Sequence, residues 1–217
     1  NTGAIAKGEF VVNTPTGILG FNQFIKNTYK SNLIDLGAGS MLDSKYSAVC
    51  HLYDNIFLVA YIDSSGANFK FASVTSSGVT LSSATTIGTT STNRIFCTKT
   101  NIGFAILYGE NYYGYIYVAR SYGATIVQSN TIPLYNGNYF GLAYSNGKLI
   151  IAASGAYKAG VINYDCTVSW GNAVGANYII DDMKPFGDDK FVVIYNNASY
   201  YPCIRVCTLS GTTITVG

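Results

Sequence analysis

Charged residues are scarce in this chain of 217 residues: they make up 11% of it, and the formal net charge is +2. An average soluble domain has roughly 25% charged residues, so the surface must consist largely of neutral polar groups and aromatic rings. The small net charge and the lack of a basic stripe argue against nucleic-acid binding. The 19 tyrosines and 23 glycines instead give a composition typical of adhesins, lectins and virion proteins.

Long hydrophobic runs are also missing. No apolar run approaches the roughly 18 residues that a membrane-spanning helix needs, and we therefore expect no membrane insertion. Proline occurs only four times, and no amphipathic helical pattern is evident. The sequence starts without Met or a signal-peptide core and stops inside a predicted strand, so we expect it to be a piece of a longer polypeptide.

The chain has little that could bind a metal or carry out redox chemistry. Its single histidine, His51, has no neighbouring ligand motif. The spacing of its five cysteines fits neither a zinc site nor a disulfide framework, and most lie in apolar stretches where a thiol acts as a small hydrophobe. We expect free thiols, assembly in a reducing cytoplasm, and no cofactor or metal. The cysteines are Cys50, Cys97, Cys166, Cys203 and Cys207.

An internal repeat is the main feature that is present. Apolar strand-like segments are centred on residues 47, 47, 45 and 42 positions apart: Phe10, Phe57, Phe104, Leu149 and Phe191. A second landmark, a Gly-x-Thr-apolar turn, recurs every 44 or 45 residues, with a threonine replacing glycine in one copy: Gly78, Gly123, Thr167 and Gly211. Two landmarks with one period indicate repeated structural units.

Each repeat is predicted to contain four short strands. In the second repeat these are predicted at 46–52, 56–63, 68–75 and 79–87, rich in β-branched and aromatic residues and bounded by Gly, Ser, Asn or Asp. The glycine of the second landmark is expected to adopt a positive φ in a tight turn before the fourth strand.

Repeated four-stranded units of this length predict an all-β fold, a β-propeller of about five four-stranded blades. We expect a single domain over residues 1–217, with the first blade incomplete. Either the ring closes within this sequence or further blades lie outside it, and a sandwich or a solenoid is an alternative architecture. The predicted repeats are 1–43, 44–90, 91–136, 137–176 and 177–217.

The sequence does not favour catalysis. Glycoside cleavage needs two carboxylates on either side of the scissile bond, but only one innermost strand carries acids, Asp181 and Asp182, and neighbouring residues of a strand point to opposite faces. Glu9 and Glu110 are the only glutamates, and no nucleophile elbow or phosphate-binding loop occurs. We therefore expect no enzymatic activity.

The loops between the second and third strands of the repeats vary and are rich in tyrosine. A tyrosine ring with its polar tip suits stacking on a sugar or contact with a protein, although some of these rings could instead pack between blades. The candidate ligand-binding residues are Asn68, Asn111, Tyr112, Tyr113, Tyr157, Asn197, Tyr200 and Tyr201.

The last repeat, KFVVIYNNASYYPCIRVCTLSGTTITVG, resembles the repeats of phage tail-fibre and related virion proteins. In those repeats a VV-x-Y strand is followed by a polar loop, an alternating strand and T-x-SGT-x-I-x-x-G. The repeats around Phe57 and Phe104 match this pattern in part, the one near Leu149 matches it weakly, and Thr167 departs from it.

The resemblance implies a virion tail-fibre or tail-associated protein that is assembled in the host cytoplasm and forms homo-oligomers or contacts other virion subunits. Its expected partner is a glycan or protein on the host cell surface. A structural virion component with subunit contacts only, or a secreted lectin-like propeller that binds carbohydrate, are the alternatives.

Overall fold

The computed structural model describes residues 11–13, 18–20, 47–89, 92–110, 113–134, 139–153, 156–175, 179–197, 199 and 201–217. These residues form twenty β-strands and no helix. In chain order the strands are β1 (Val11–Asn13), β2 (Ile18–Gly20), β3 (Ser47–Tyr53), β4 (Ile56–Asp63), β5 (Gly66–Thr75), β6 (Gly78–Leu81), β7 (Thr85–Thr86), β8 (Thr92–Lys99), β9 (Gly103–Glu110), β10 (Tyr113–Tyr122), β11 (Thr125–Leu134), β12 (Tyr139–Ser145), β13 (Lys148–Ala153), β14 (Ala156–Ile162), β15 (Val168–Trp170), β16 (Val174–Gly175), β17 (Ile179–Pro185), β18 (Lys190–Asn196), β19 (Pro202–Ser210) and β20 (Thr213–Val216).

Four antiparallel sheets, each a meander of consecutive strands, contain most of the described residues. Sheet I has the order β3-β4-β5-β6 with β7 also paired to β5, and sheet II has the order β8-β9-β10-β11. Sheet III has the order β12-β13-β14-β15 with β16 paired to β14, and sheet IV has the order β17-β18-β19-β20. Strands β1 and β2 form a separate antiparallel pair.

The sheets pack face to face in chain order. The first strand of each sheet contacts the first strand of the next, β3 with β8, β8 with β12, and β12 with β17. Phe69 and Phe104 meet between sheets I and II with ring centroids 5.3 Å apart. Tyr157 and Phe191 meet between sheets III and IV at 6.0 Å. Burial of such rings is the main favourable term that holds one sheet against another.

The hydrophobic pattern of a strand depends on how many faces of its sheet are covered by other sheets. In β9 the residues from Gly103 to Tyr108 are all buried, because sheets I and III pack on its two faces. A continuous apolar run is the expected signal for such a strand. In β18 burial alternates, and on the outer face of sheet IV Ile194 lies opposite Ile204, both exposed. Within the described ranges, that face therefore carries apolar side chains on which no other sheet packs.

The turn before the fourth strand differs between repeats. Gly123 and Gly211 both have φ of +58° and Gly78 has +139°, as predicted for turns that only glycine adopts without strain. In sheet III the positive φ, +66°, belongs to Cys166 and not to Thr167. The threonine therefore does not replace the glycine: the left-handed residue lies one position earlier, within a longer turn.

The all-β prediction is confirmed by the twenty strands of the described residues. In the second repeat the first three predicted strands agree with β3, β4 and β5 to within two residues at each end. The predicted fourth strand is divided into two short pieces, β6 and β7. Most of the first predicted repeat, 1–43, lies outside the described residues.

Candidate functional site

The loops of each sheet fall at two opposite ends, because consecutive strands run in opposite directions. We call the end where the second strand joins the third the hairpin end, and the end with the other two turns the turn end. Hydrogen bonds tie neighbouring sheets together at the turn end. Tyr53 Oη donates to the carbonyl oxygen of Ser121 at 3.0 Å, and Ser145 Oγ donates to that of Gly187 at 3.1 Å. The turn ends of neighbouring sheets therefore lie side by side.

Three of the predicted binding residues lie near the surface of the hairpin end. The side chains of Tyr113 and Tyr201 are 48% and 67% exposed. Asn197 is half-buried, and its Oδ1 accepts hydrogen bonds from the backbone N–H groups of Ser199 and Tyr201, at 2.9 and 3.0 Å. Asn197 thus closes the loop that holds Tyr201 in place. Asn111, Tyr112 and Tyr200 lie outside the described residues.

Two other predicted binding residues are buried. Asn68 Nδ2 donates to Asp63 Oδ1 and to the carbonyl oxygen of Gly66, while its Oδ1 accepts from Thr86 Oγ1 at 2.6 Å. Tyr157 is fully buried in the cluster between sheets III and IV. Asn68 fastens the hairpin of sheet I to β7, and Tyr157 packs in the core. Neither side chain is presented to solvent.

Three aromatic rings that were not among the predicted binding residues are exposed to solvent at the turn end. Tyr122 and Tyr164 are each 70% exposed, and Phe186 is also exposed. Tyr122 ends β10 just before its turn, and Tyr164 lies in the turn between β14 and β15. The available sequence signal was a tyrosine directly beside a turn, which gives no indication of whether a ring packs inward or outward.

Tyr164 stacks on an arginine of the neighbouring sheet. The guanidinium carbon of Arg120 lies 3.8 Å from the ring centroid of Tyr164, well inside the range of a cation–π contact. Arg120 Nε and Nη1 are shielded from solvent and have no hydrogen-bond partner within the described part of the chain. In sheet IV, Arg205 lies over Tyr195 at 5.0 Å, but there the ring is buried.

The turn that carries Tyr164 is held rigidly. Asp165 Oδ1 accepts hydrogen bonds from Thr167 N at 3.1 Å and Thr167 Oγ1 at 2.7 Å. These bonds lower the pKa of Asp165, so its exposed carboxylate is charged at neutral pH. The thiol of Cys166 is buried and donates to the carbonyl oxygen of Gln128 in sheet II, and Gln128 Nε2 donates to that of Asp165 at 3.4 Å. The exposed ring therefore projects from an ordered support.

Of the two acids predicted on an innermost strand, the structure describes the side chain of Asp182. Asp182 forms an ion pair with Lys184 at 3.2 Å and accepts a hydrogen bond from the backbone N–H of Met183. The side chain of Asp181 lies outside the described residues. Within the described ranges no group of three or more His, Cys, Asp or Glu side chains is positioned to hold a metal.

All five cysteines are free thiols. Cys50 and Cys97 lie on the adjoining strands β3 and β8 and pack against the same cluster between sheets I and II. The hydrogen bond between the two thiols and burial raise the pKa of Cys97 well above its ordinary value, whereas Lys184 acts in the opposite direction. The two sulfur atoms are thus close neighbours.

Comparison with known proteins found no family model that matches the chain and no curated protein of significant sequence similarity. Across the described ranges, no helix has the length and apolar character needed to cross a lipid bilayer.

Proposed function

We propose that the chain is a non-enzymatic binding module of a virion tail or tail fibre, built as a β-propeller, that attaches to a glycan or protein on the host cell surface. The observation that carries this proposal is the presentation of exposed tyrosines by a rigid scaffold of packed sheets, with Tyr113 and Tyr201 at its hairpin end. The resemblance of the last repeat to tail-fibre repeats supports the assignment to a virion.

A propeller is supported by the order of the sheets and by their inner strands. Successive sheets stack through their first strands, as blades do around an axis. Lys184 in sheet IV is close enough to Cys97 in sheet II to act on the pKa of its thiol. An arrangement of first strands around a common centre would account for this effect. The predicted blade at 1–43 would pack on the exposed outer face of sheet IV and close the ring.

A binding role for the hairpin end is supported by the contrast between its loops and the sheets. Exposed aromatic rings on a loop whose backbone is fixed by local hydrogen bonds bind partners at a lower entropic cost, because less backbone freedom is left to lose. The bonds from Ser199 and Tyr201 to Asn197 fix the loop in this way. A purely structural virion protein, whose tyrosines contact only neighbouring subunits, is the second candidate.

Binding to a glycan array and to intact bacterial cells tests this function. We expect the full chain to bind a subset of surface polysaccharides, and the Tyr113→Ala and Tyr201→Ala variants each to bind about tenfold more weakly, since each loses one aromatic contact. Phe186→Ala, a change of another exposed ring that lies at the turn end of sheet IV, is the matched control for this hairpin-end site.

Two results would contradict the proposal. If the wild-type chain binds no glycan and no cell, the receptor-binding function is wrong. If it binds but neither hairpin-end variant is weakened, the function stands and the hairpin-end site is wrong. Burial of Tyr113 and Tyr201 against other chains in an assembled particle would favour the structural candidate.

A further inference from the structure

The turn end between sheets II and III has the features of a second ligand site. The site consists of Tyr164, Tyr122, Arg120 and Asp165, and it lies at the opposite end of the strands from the hairpin loops. We propose that this surface binds a single neutral pyranose residue of a glycan, with Tyr164 as the stacking platform. The glycan as ligand class rests on the proposed function, whereas the location of the site does not.

The exposure of Tyr164 is not explained by folding. A tyrosine that stabilises the fold buries its ring, as Tyr61 and Tyr108 do, but 70% of Tyr164 remains in contact with solvent. One face of the ring is stacked on the Arg120 guanidinium at 3.8 Å, and the opposite face is free to receive a flat apolar surface. The C–H face of a pyranose ring is such a surface.

The platform is organised before any ligand arrives. Its turn is fixed by the two hydrogen bonds from Thr167 to Asp165 and by the two bonds from Asn163 Nδ2 to Thr167 Oγ1 and Ser169 Oγ. The Cys166 thiol anchors the same turn to β11 through the Gln128 carbonyl oxygen. Arg120 then holds the ring from below. A ligand that stacks on Tyr164 therefore orders few side chains.

Tyr122 supplies a second exposed ring at the turn end of β10. Ile116 and Val118 of β10 face sheet III, and alternation along the strand places Arg120 on that face as well, in agreement with its stacking on Tyr164 of sheet III. Tyr122 lies two residues beyond Arg120, about 7 Å along the strand. Tyr122 therefore adds a second exposed ring two residues from the arginine that lies under the Tyr164 platform.

The charges at the site favour a neutral sugar. The ionised and exposed carboxylate of Asp165 follows Tyr164 directly, so it accepts hydrogen bonds from sugar hydroxyls and repels an acidic sugar. The charge of Arg120 faces the inner side of the ring. The rest of the turn between β10 and β11, at Gly123 and Ala124, is small and without large apolar side chains. An apolar patch limited to two rings is too small for the core of a stable protein interface.

Saturation-transfer NMR with methyl α-D-glucopyranoside, methyl α-D-mannopyranoside and methyl β-D-galactopyranoside, together with an array of neutral bacterial polysaccharides, tests the site on the full chain. We expect at least one pyranoside to receive saturation mainly on the C–H protons of one ring face. Tyr164→Ala should weaken binding about tenfold or more and Tyr122→Ala less, whereas Tyr164→Phe, which keeps the ring, should bind like the wild type.

The outcomes separate this inference from the proposed function. Loss of binding in Tyr164→Ala, with Tyr164→Phe intact and an unchanged thermal midpoint, supports the turn-end site. Loss confined to Tyr113→Ala and Tyr201→Ala overturns the turn-end site and leaves the proposed function standing. A wild-type chain that binds no glycan overturns this sugar site, and one that binds neither a glycan nor cells overturns the proposed function as well. A change of oligomeric state in Tyr164→Ala without any change in glycan binding identifies a subunit contact and overturns the sugar site.

Discussion

Two cysteine side chains at the interface between sheets I and II are reactive groups as well as packing residues. Cys50 and Cys97 come from adjoining inner strands and share a hydrogen bond, and the raised pKa of Cys97 keeps its thiol protonated at neutral pH. The thiolate is the reactive form in disulfide exchange, so this pair is stable as thiols in a reducing cytoplasm. In an oxidising environment outside the cell, we expect the two thiols to form a disulfide.

We expect oxidised glutathione to link Cys50 to Cys97. Each new protein disulfide forms with release of two glutathione thiols, which take up the two electrons and two protons. The reaction should be slow at neutral pH and faster as pH rises, because more thiolate becomes available. Peptide mapping by mass spectrometry should show the link in the wild type and in Cys203→Ser, and no link in Cys50→Ser. A disulfide between other cysteines, or none in alkaline solution, would contradict the proximity of the two sulfur atoms.

At the scale of the element, the sheets differ in how many of their faces are covered. Sheets II and III are buried on both faces, whereas Ile204 on the outer face of sheet IV is 73% exposed in the described structure. Exposed isoleucines paired across two strands, as Ile194 and Ile204 are, are typical of a surface that another element covers. In the proposed propeller that element is the blade at 1–43.

An Ile204→Asp substitution tests whether the face is covered. If the proposed first blade packs there, the buried charge should lower the free energy of unfolding by about 2 kcal/mol or more. Val127→Asp, on the exposed edge strand β11, is the matched control and should change it by less than about 0.5 kcal/mol. Urea unfolding followed by circular dichroism measures both. Equal and small effects would mean that the face is open to solvent, which would refute ring closure by this chain.

We expect the free energy of unfolding of the whole molecule to fall in alkaline solution. Burial raises the pKa of several tyrosines and, with its hydrogen bond to Cys50, that of Cys97, so these groups stay protonated in the folded chain at pH values where the unfolded chain has lost the protons. The groups with a raised pKa are Cys97, Cys166, Cys207, Tyr61, Tyr108, Tyr117 and Tyr144. The stability that they confer is therefore complete at neutral pH.

Above the ordinary pKa values of 9.0 for cysteine and 10.0 for tyrosine, the unfolded state releases protons first and becomes favoured. Each buried group should then remove up to about 1.4 kcal/mol of stability for each pH unit until its folded pKa is reached. Urea unfolding at a series of pH values should show a level free energy from pH 7 to 8.5 and a steep fall above pH 9. Tyr117→Phe should make the fall shallower. A free energy that stays constant to pH 11 would contradict the burial of these hydroxyls and thiols.

The sequence alone determined the repeat, the all-β class and the positions of most strands, because alternation, β-branched residues and turn glycines act over a few residues. Strand β4 could be placed in this way, and so could the turns at Gly123 and Gly211. The left-handed residue at Cys166 could not, since its conformation depends on the contact of its thiol with Gln128 in the next sheet.

Only the tertiary structure decided which tyrosines face solvent. Tyr157 and Tyr201 both lie in or beside a tyrosine-rich loop of the sequence, but packing between sheets III and IV buries the first and leaves the second exposed. Tyr164 became a candidate because Arg120, 44 residues earlier in the sequence, lies under its ring. Local sequence specifies the strand and the turn, and the neighbouring sheet specifies what each ring can contact.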